Sequence, residues 1–570
     1  MSLPTPISLS IWQHRLSQVA EEMGATLRRS ALSPNIKERR DYSCAICDDS
    51  GRLLAQAAHI PVHLGSTAMA VRAVLRALRL GPDDVAIVND PYSGGTHLPD
   101  VTLVAPVCVP GAGGTDVLAY LAVRAHHADV GGLVPGSMGV PTRAEGDEIP
   151  EAPPPSPAVG PRYRAPQRPV TPLTIDDEGL RLPPTLLTAE VEQAFVAHSR
   201  SPWERLGDLR AQRAALLVGQ RRLQELAAHY GAEEIRTQGQ ALIEYAARMT
   251  RASLAALPSG TYAFADSLDD DGGGVEDIAI RVRITLEGGQ ALVDFSDSDE
   301  QVGGPVNTVL PVTVSAVLYA FRLLLPEELP TNEGCLEPIT IIAPTGSVVN
   351  ACPPHAVSAG NTETAQRIVD VILGALHQAV PDRVPAASCG SMNSLLVGNE
   401  RFVYYETIAG GAGASAHRAG AHAVHTHMTN TRNTPVEVLE QALPMRVLRY
   451  AVRRGSGGAG RHRGGDGVVR TIELLEDATV TLLGERRRRP PYGQRGGAPG
   501  ALGRDWLRRG ERVVLLPGKV SFQGRAGDVL TIETPGGGGY GDPSGGAFWG
   551  QVLPPPPSVS GSPGRGENSC

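Results

Sequence analysis

One stretch constrains this chain more than any other: Asn89-Asp90-Pro91-Tyr92-Ser93-Gly94-Gly95-Thr96-His97-Leu98-Pro99-Asp100. A proline and paired glycines force a turn, and polar residues crowd at its end. The stretch follows a short apolar run at 85–88 and leads into apolar runs at 101–109 and 117–124, which read as strands around a Gly-rich turn. His97 and Asp100 are three residues apart, close enough to turn an imidazole and a carboxylate toward one ion.

One strand later comes Arg124-Ala125-His126-His127-Ala128-Asp129. Histidine and aspartate together suit Zn²⁺, Mn²⁺ or Fe²⁺, and further oxygen ligands would favour Mn²⁺. Three protein ligands and an open position make a catalytic site, because a water held there becomes acidic enough to attack. On a strand, His126 and His127 point to opposite faces, so one of them faces the ion. His126 is the preferred ligand, with His127 kept open. A second cluster, His425-Thr426-His427 followed by Arg432, reads as a strand end on which His425 and His427 share a face and can bind a metal, or orient a polar substrate with Arg432 anchoring its carboxylate. Glu333, Asn361 and Glu363 lie in polar loops able to line a pocket, although Glu363 also suits a helix cap. His59 and His63 bracket Pro61, which weakens any reading of them as ligands. Cys44-Ala-Ile-Cys47 has redox spacing but lies in a strand-like run with no helix after it.

The rest of the chain divides by pattern. Helices are expected over 11–32 and 67–80, a hairpin over 41–55, and long helices over 187–230 and 232–257. Helices at 312–325 and 364–380 and strands at 339–342 and 402–407 follow. Short β-type runs at 468–474, 479–483, 513–516 and 529–533 fill a Gly-rich end. The expected fold is α+β, mixed and multi-domain. It comprises an α/β metal-site region (1–140), a Pro-rich insertion or linker (141–177) and a helical segment (178–258). A mixed region with the His-x-His motif (259–445), a β-rich part (446–542) and a disordered tail (543–570) complete it.

Composition excludes several classes. Net charge is −8 over 570 residues, against a broad nucleic-acid surface. Lys37 and Lys519 are the only lysines, and neither follows a Gly-rich turn before Ser or Thr, so a P-loop is ruled out. The apolar run 310–325 is short for a membrane span and contains Arg322. Seven scattered cysteines and an N-terminus without a basic cluster and apolar core point to a cytoplasmic chain.

The ordered motifs resemble the hydantoinase B/oxoprolinase family, which includes the B-type chain of N-methylhydantoinase, the C-terminal half of 5-oxoprolinase and the acetone carboxylase alpha subunit. They are Glu38-Arg39-Arg40-Asp41, His59 through Ser66, Asn89 through Asp100, His126 through Gly132, Gly207 through Gln212, Asn332-Glu333-Gly334-Cys335, Ala359 through Thr364, His425 through Glu437 and Thr534 through Gly541. The resemblance implies a separate or fused hydantoinase A-type partner that binds ATP and phosphorylates the substrate carbonyl oxygen. The B-type chain would then open a lactam or cyclic imide ring, or, in the carboxylase, join an activated ketone to CO₂. A non-catalytic scaffold for the A-type subunit is the third expectation. The metal site, Mn²⁺ in the carboxylase, maps to His97, Asp100 and His126, with Asp129 orienting a liganding histidine. A Pro-rich insertion between 140 and 178 departs from the family pattern.

Overall fold

The near-continuous apolar runs flanking the polar loop demand a sheet covered on both faces. The computed structural model describes residues 5–57, 60–111, 114–141, 151 and 173–543. Strands β1 (Tyr42–Cys47), β2 (Leu53–Gln56), β3 (Ala86–Val88), β4 (Asp100–Gly111), β5 (Gly114–His126) and β6 (Thr185–Leu186) form one antiparallel sheet in the order β2-β1-β5-β4-β3-β6. Helices Pro6–Ser30 and Pro202–Tyr230 pack on one face, joining Leu16, Met23, Leu209 and Leu216 to Ile46, Leu103, Leu121 and Val123. Helix Ser66–Ala77 covers the other, setting Val71 and Val74 against Ala45, Val104 and Ala122. Cys44 belongs to the first apolar cluster and Cys47 to the second, so the two thiols sit on opposite sides of the sheet and form no redox pair.

The single helix expected over 187–230 is two. Ala189–Ala197 ends before Ser199-Arg200-Ser201, and Pro202 opens the second helix. Proline has no N–H to give the preceding turn and disfavours α geometry in the residue before it, so it starts a helix more readily than it continues one. Helix Ala232–Ala255 follows.

A second sheet, β10-β9-β8-β7, combines β7 (Gly260–Asp270), β8 (Glu276–Glu287), β9 (Gln290–Asp294) and β10 (Ile339–Ile342), the last parallel to β9. Helices Leu310–Arg322 and Ala365–Ala379 pack together, and the latter lies on β7 and β8. Its N-terminus is preceded by a π-helical turn, Gly360–Thr364.

Two further sheets make the C-terminal part. β11 (Ser394–Gly398), β12 (Val403–Thr407), β15 (Ala478–Leu483) and β18 (Lys519–Gly524) form one. β13 (Met445–Arg453), β14 (Gly467–Leu474), β16 (Arg504–Arg509), β17 (Arg512–Leu516) and β19 (Val529–Glu533) form the other. The first of these sheets draws strands from both sides of residue 446, where the sequence pattern alone placed a boundary. The glycine run near 536–541 meets backbone rather than a ligand: Gly537 N–H donates to Gly465 O at 2.9 Å, and a Cβ on Gly537 would stand 2.0 Å from Ala412 O. Of the four consecutive arginines at 486–489, the last two are exposed and pair with Glu276 and Asp277, while the first two are drawn into the protein. Arg486 is buried against Asp266 (2.8 Å) and Asp370, and Arg487 pairs with Asp505 at 3.0 Å. The Arg486–Asp370 pair ties the C-terminal strands to helix Ala365–Ala379.

The chain is thus mixed α and β and multi-domain. No described helix is long and apolar enough to cross a membrane. Most of the Pro-rich stretch within 141–177, the tail after residue 543 and His59 lie outside the described residues.

Candidate metal centre

The polar loop is held by its own side chains. Asn89 Nδ2 donates to Leu98 O and to Leu180 O (both 2.9 Å), and Leu182 N–H donates to Asn89 Oδ1 (2.7 Å). Gly94 has φ +89°, and a Cβ there would stand 2.7 Å from the backbone of Met69 and Ala70, so only glycine fits. Buried Arg124 braces the loop, donating to Gly94 O (3.3 Å), Ser66 Oγ (2.6 Å) and Thr102 Oγ1 (2.8 Å). His97 therefore leaves the loop pointing into the protein.

Strand β4 begins at Asp100 and β5 ends at His126, and the register pairs these two residues. One ligand atom each from His97, Asp100 and His126 lies within 4.8 Å of the others, and all three side chains are buried. The rings of His97 and His126 meet edge to face at 4.9 Å, and His126 stacks on Tyr405 at 4.8 Å. The Asn35 amide contacts His126 Nδ1 at 3.3 Å. His97 Nε2 stands 3.4 Å from Asp100 Oδ2. His126 Nε2, both ring nitrogens of His97 and Asp100 Oδ1 have no hydrogen-bond partner.

Burial first, and the neighbouring His97 second, drive the His126 pKa well below its ordinary value, so the ring is neutral and its lone pair is available. Burial pushes Asp100 upward, but His97 and His63 outweigh it and hold the carboxyl well below the usual range. The result is an ionised oxygen donor beside imidazole nitrogens in a dry site. Buried polar atoms left unpaired are costly, and this donor set fits a divalent Zn²⁺- or Mn²⁺-type ion.

The remaining expected residues fall differently. His127 points to the other face, 2.9 Å from Gln212 Oε1 and against Phe195 (5.3 Å), so it is not brought to the cluster. Asn361 joins the cluster by donating to Asp100 Oδ2 at 3.4 Å. Glu363, two residues on, caps nothing. It accepts from Ser391 Oγ (2.6 Å) and Met392 N–H (3.2 Å), and burial raises it to about 7. Asp129 orients no imidazole: its carboxylate accepts from the N–H groups of Gly131, Gly136 and Arg200 (each 3.0 Å) and from Arg200 Nη1 (2.9 Å).

The expected His-x-His strand is a loop, and His427 has φ +57°, so the two rings do not alternate on a common face. His427 sits between Asp370 (3.9 Å) and Tyr319 Oη (3.5 Å). His425 feels Arg39, whose guanidinium lies 4.4 Å over the Tyr405 ring behind His126. Burial first, and Arg39 second, lower His425 to about 4. Arg432 is exposed, and its backbone N–H donates to Arg39 O at 3.0 Å. Glu333 pairs with Arg72 at 3.0 Å and accepts from Leu53 N–H at 3.2 Å, so it serves the packing of helix Ser66–Ala77.

Sequence reasoning missed Asp41 and His63. With Asp100 they form a second group whose ligand atoms lie within 4.8 Å of one another. The 3₁₀ turn Pro61–His63 swings His63 inward, so the proline that weakened its reading is what aims it. The signal available for His126 was hairpin counting: a strand beginning at Asp100 and returning through one turn must end beside it.

A family model described as Hydantoinase B/oxoprolinase matches residues 5–150 and 169–543. 5-Oxoprolinase 1 of Arabidopsis thaliana is 37% identical over 94% of this chain, which covers 42% of that protein. A putative B-type chain of a D-/L-hydantoinase from Pseudomonas sp. is 29% identical over 94% of this chain and 90% of its own. The crystal structure of an ATP-dependent caprolactamase from Pseudomonas jessenii superposes with a TM-score of 0.82 at 27% identity, covering 95% of this chain and 91% of that one. The chain spans about two fifths of the 5-oxoprolinases it matches and nearly all of the hydantoinase chain.

Proposed function

The chain belongs to the hydantoinase B/oxoprolinase family, and from that premise we propose that it is the B-type component of an ATP-dependent cyclic-amide hydrolase. It completes the ring opening of a lactam or cyclic imide whose carbonyl oxygen an A-type partner has phosphorylated. The match along nearly all of a putative hydantoinase B-type chain supports the B-type role. The lack of a P-loop lysine is consistent with ATP handled by the partner.

The observation that carries the proposal is the buried set of unpartnered donors on His97, Asp100 and His126. A divalent ion held there would supply Lewis acidity and an acidified water. The protein's own groups prepare the rest. An amide carbonyl resists attack because nitrogen delocalises into it, and phosphorylation removes that resistance. Asp100 stays ionised and His126 neutral at physiological pH. His425, lowered to about 4, is neutral at physiological pH, and its unpartnered Nε2 offers a hydrogen-bond acceptor to the substrate.

The test is to purify the chain with an A-type subunit and follow ATP turnover with 5-oxoproline, a hydantoin, caprolactam, and acetone plus bicarbonate. Turnover with a cyclic amide, lost in His97→Ala, supports the reading. Bicarbonate-dependent turnover with acetone, and none with a cyclic amide, would replace it with a carboxylase. Full activity in His97→Ala would leave the chain a scaffold.

A further inference from the structure

Asp100 offers two oxygens, and the protein treats them unequally. Oδ2 accepts from Thr96 Oγ1 (2.5 Å), from Asn361 Nδ2 (3.4 Å) and from His63 Nε2 (3.2 Å). Oδ1 accepts nothing. Oδ2 also stands 3.4 Å from His97 Nε2, so the donors that hold Oδ2 fix the carboxylate beside the ligand set while Oδ1 stays unpartnered.

His63 is the most firmly built of the three donors. Its ring is 1% exposed, and its Nδ1 lies 2.9 Å from Ser43 Oγ on β1. With the hydroxyl donating to Nδ1, the ring proton sits at Nε2 and is given to Asp100. Its backbone is fixed as well: Thr67 Oγ1 donates to His63 O at 3.0 Å. Both ring nitrogens are therefore engaged, in contrast to His97, whose nitrogens both lack a hydrogen-bond partner.

We propose that His63 is a positioning residue of the metal centre: held by Ser43, it pins Oδ2 of Asp100 and so fixes that carboxylate beside His97 and His126. This rests on the reading of His97, Asp100 and His126 as ligands. It assigns a role to a histidine outside that ligand set, and links β1, the 3₁₀ turn and the hairpin in one Ser43–His63–Asp100 chain. Partners that orient a ligand govern metal affinity, so the effect belongs in binding as well as in turnover.

The experiment titrates the metal-free chain with Mn²⁺ and Zn²⁺ against a competing chelator, beside thermal melts that confirm folding. Wild type is expected to bind about one ion and His97→Ala essentially none. His63→Ala should bind roughly 10–100-fold more weakly, and His63→Gln, which can still donate to Asp100 and accept from Ser43, within about threefold of wild type. Ser43→Ala, expected to weaken binding by roughly 3–10-fold, carries the test if His63→Ala does not fold. Wild-type affinity in both His63→Ala and Ser43→Ala would overturn the inference while leaving the metal centre standing. His63→Gln binding as poorly as His97→Ala would make His63 a ligand rather than a positioner. A wild-type chain that binds neither ion would overturn both this inference and the metal centre beneath it.

Discussion

Asp100 and His126 stand directly opposite each other as the outermost pair of one antiparallel hairpin, the first residue of β4 facing the last of β5. They lie far apart in sequence, yet ladder hydrogen bonds alone set their approach. The candidate metal centre is therefore built on rigid strand ends, with only His97 supplied by the loop. Sites anchored in this way hold their geometry better than sites made wholly of loops.

The first prediction concerns the two adjacent histidines. His126→Ala is expected to abolish metal retention, while His127→Ala leaves metal content unchanged. His127→Ala should instead cost about 1–3 kcal/mol of stability, since Gln212 Oε1 is left buried without its partner. Metal analysis of the two purified variants beside a urea melt decides it. Loss of metal in His127→Ala would show that the wrong face of the strand had been assigned.

A second prediction concerns Asp129. Backbone donors and the Arg200 ion pair make it a clamp on the loop after β5, and Arg200 is a quarter exposed, which weakens the pair. Asp129→Ala should lower unfolding free energy by about 2–3 kcal/mol, with metal affinity little changed. A variant with wild-type stability and a lost ion would restore Asp129 to the metal site.

The third prediction is a pH dependence. Burial raises the Glu178 carboxyl from 4.5 to about 7, against the opposing N–H groups of Ser358 and Val357 that donate to it at 2.7 and 2.9 Å. Between about pH 4.5 and 7 the folded chain thus holds a proton that the unfolded chain has released. The native state binds more protons there, so this contribution is fully present below 4.5 and is lost as pH rises through about 7. Urea midpoints measured from about pH 5 to 7.5 should fall less steeply in Glu178→Gln than in wild type. Parallel profiles would count against a protonated Glu178.

The fourth prediction separates the two members of the His-x-His motif. His427 packs on Asp370 and Tyr319, away from the ligand set, whereas His425 responds to Arg39 beside Tyr405. In the complex with an A-type partner, His425→Ala is expected to lower kcat by about tenfold, in line with loss of a hydrogen bond to the reacting substrate. His427→Ala should act mainly on thermal stability. Equal losses of kcat with unchanged melting would rejoin the pair.

The sequence by itself determined what is local. Apolar runs of strand length fixed the hairpin, and two-residue alternation put His126 and His127 on opposite faces. The turn residues around Gly94 committed the loop that delivers His97, and the ordered motifs carried the family.

Only the tertiary structure decided which distant groups meet. Asp41 and His63 reach Asp100 from segments whose spacing encodes nothing about the meeting, and Asn361 arrives from 261 residues away. Asp129 looked like an orienting carboxylate until Arg200, 71 residues on, claimed it. His425 and His427 lost their common face because tertiary contacts hold His427 at a positive φ, a choice no strand pattern reveals. The reason is physical: backbone sterics and side-chain period act over a few residues. The aim of a buried polar group is set by whichever partner, from anywhere in the chain, satisfies it once water has been excluded.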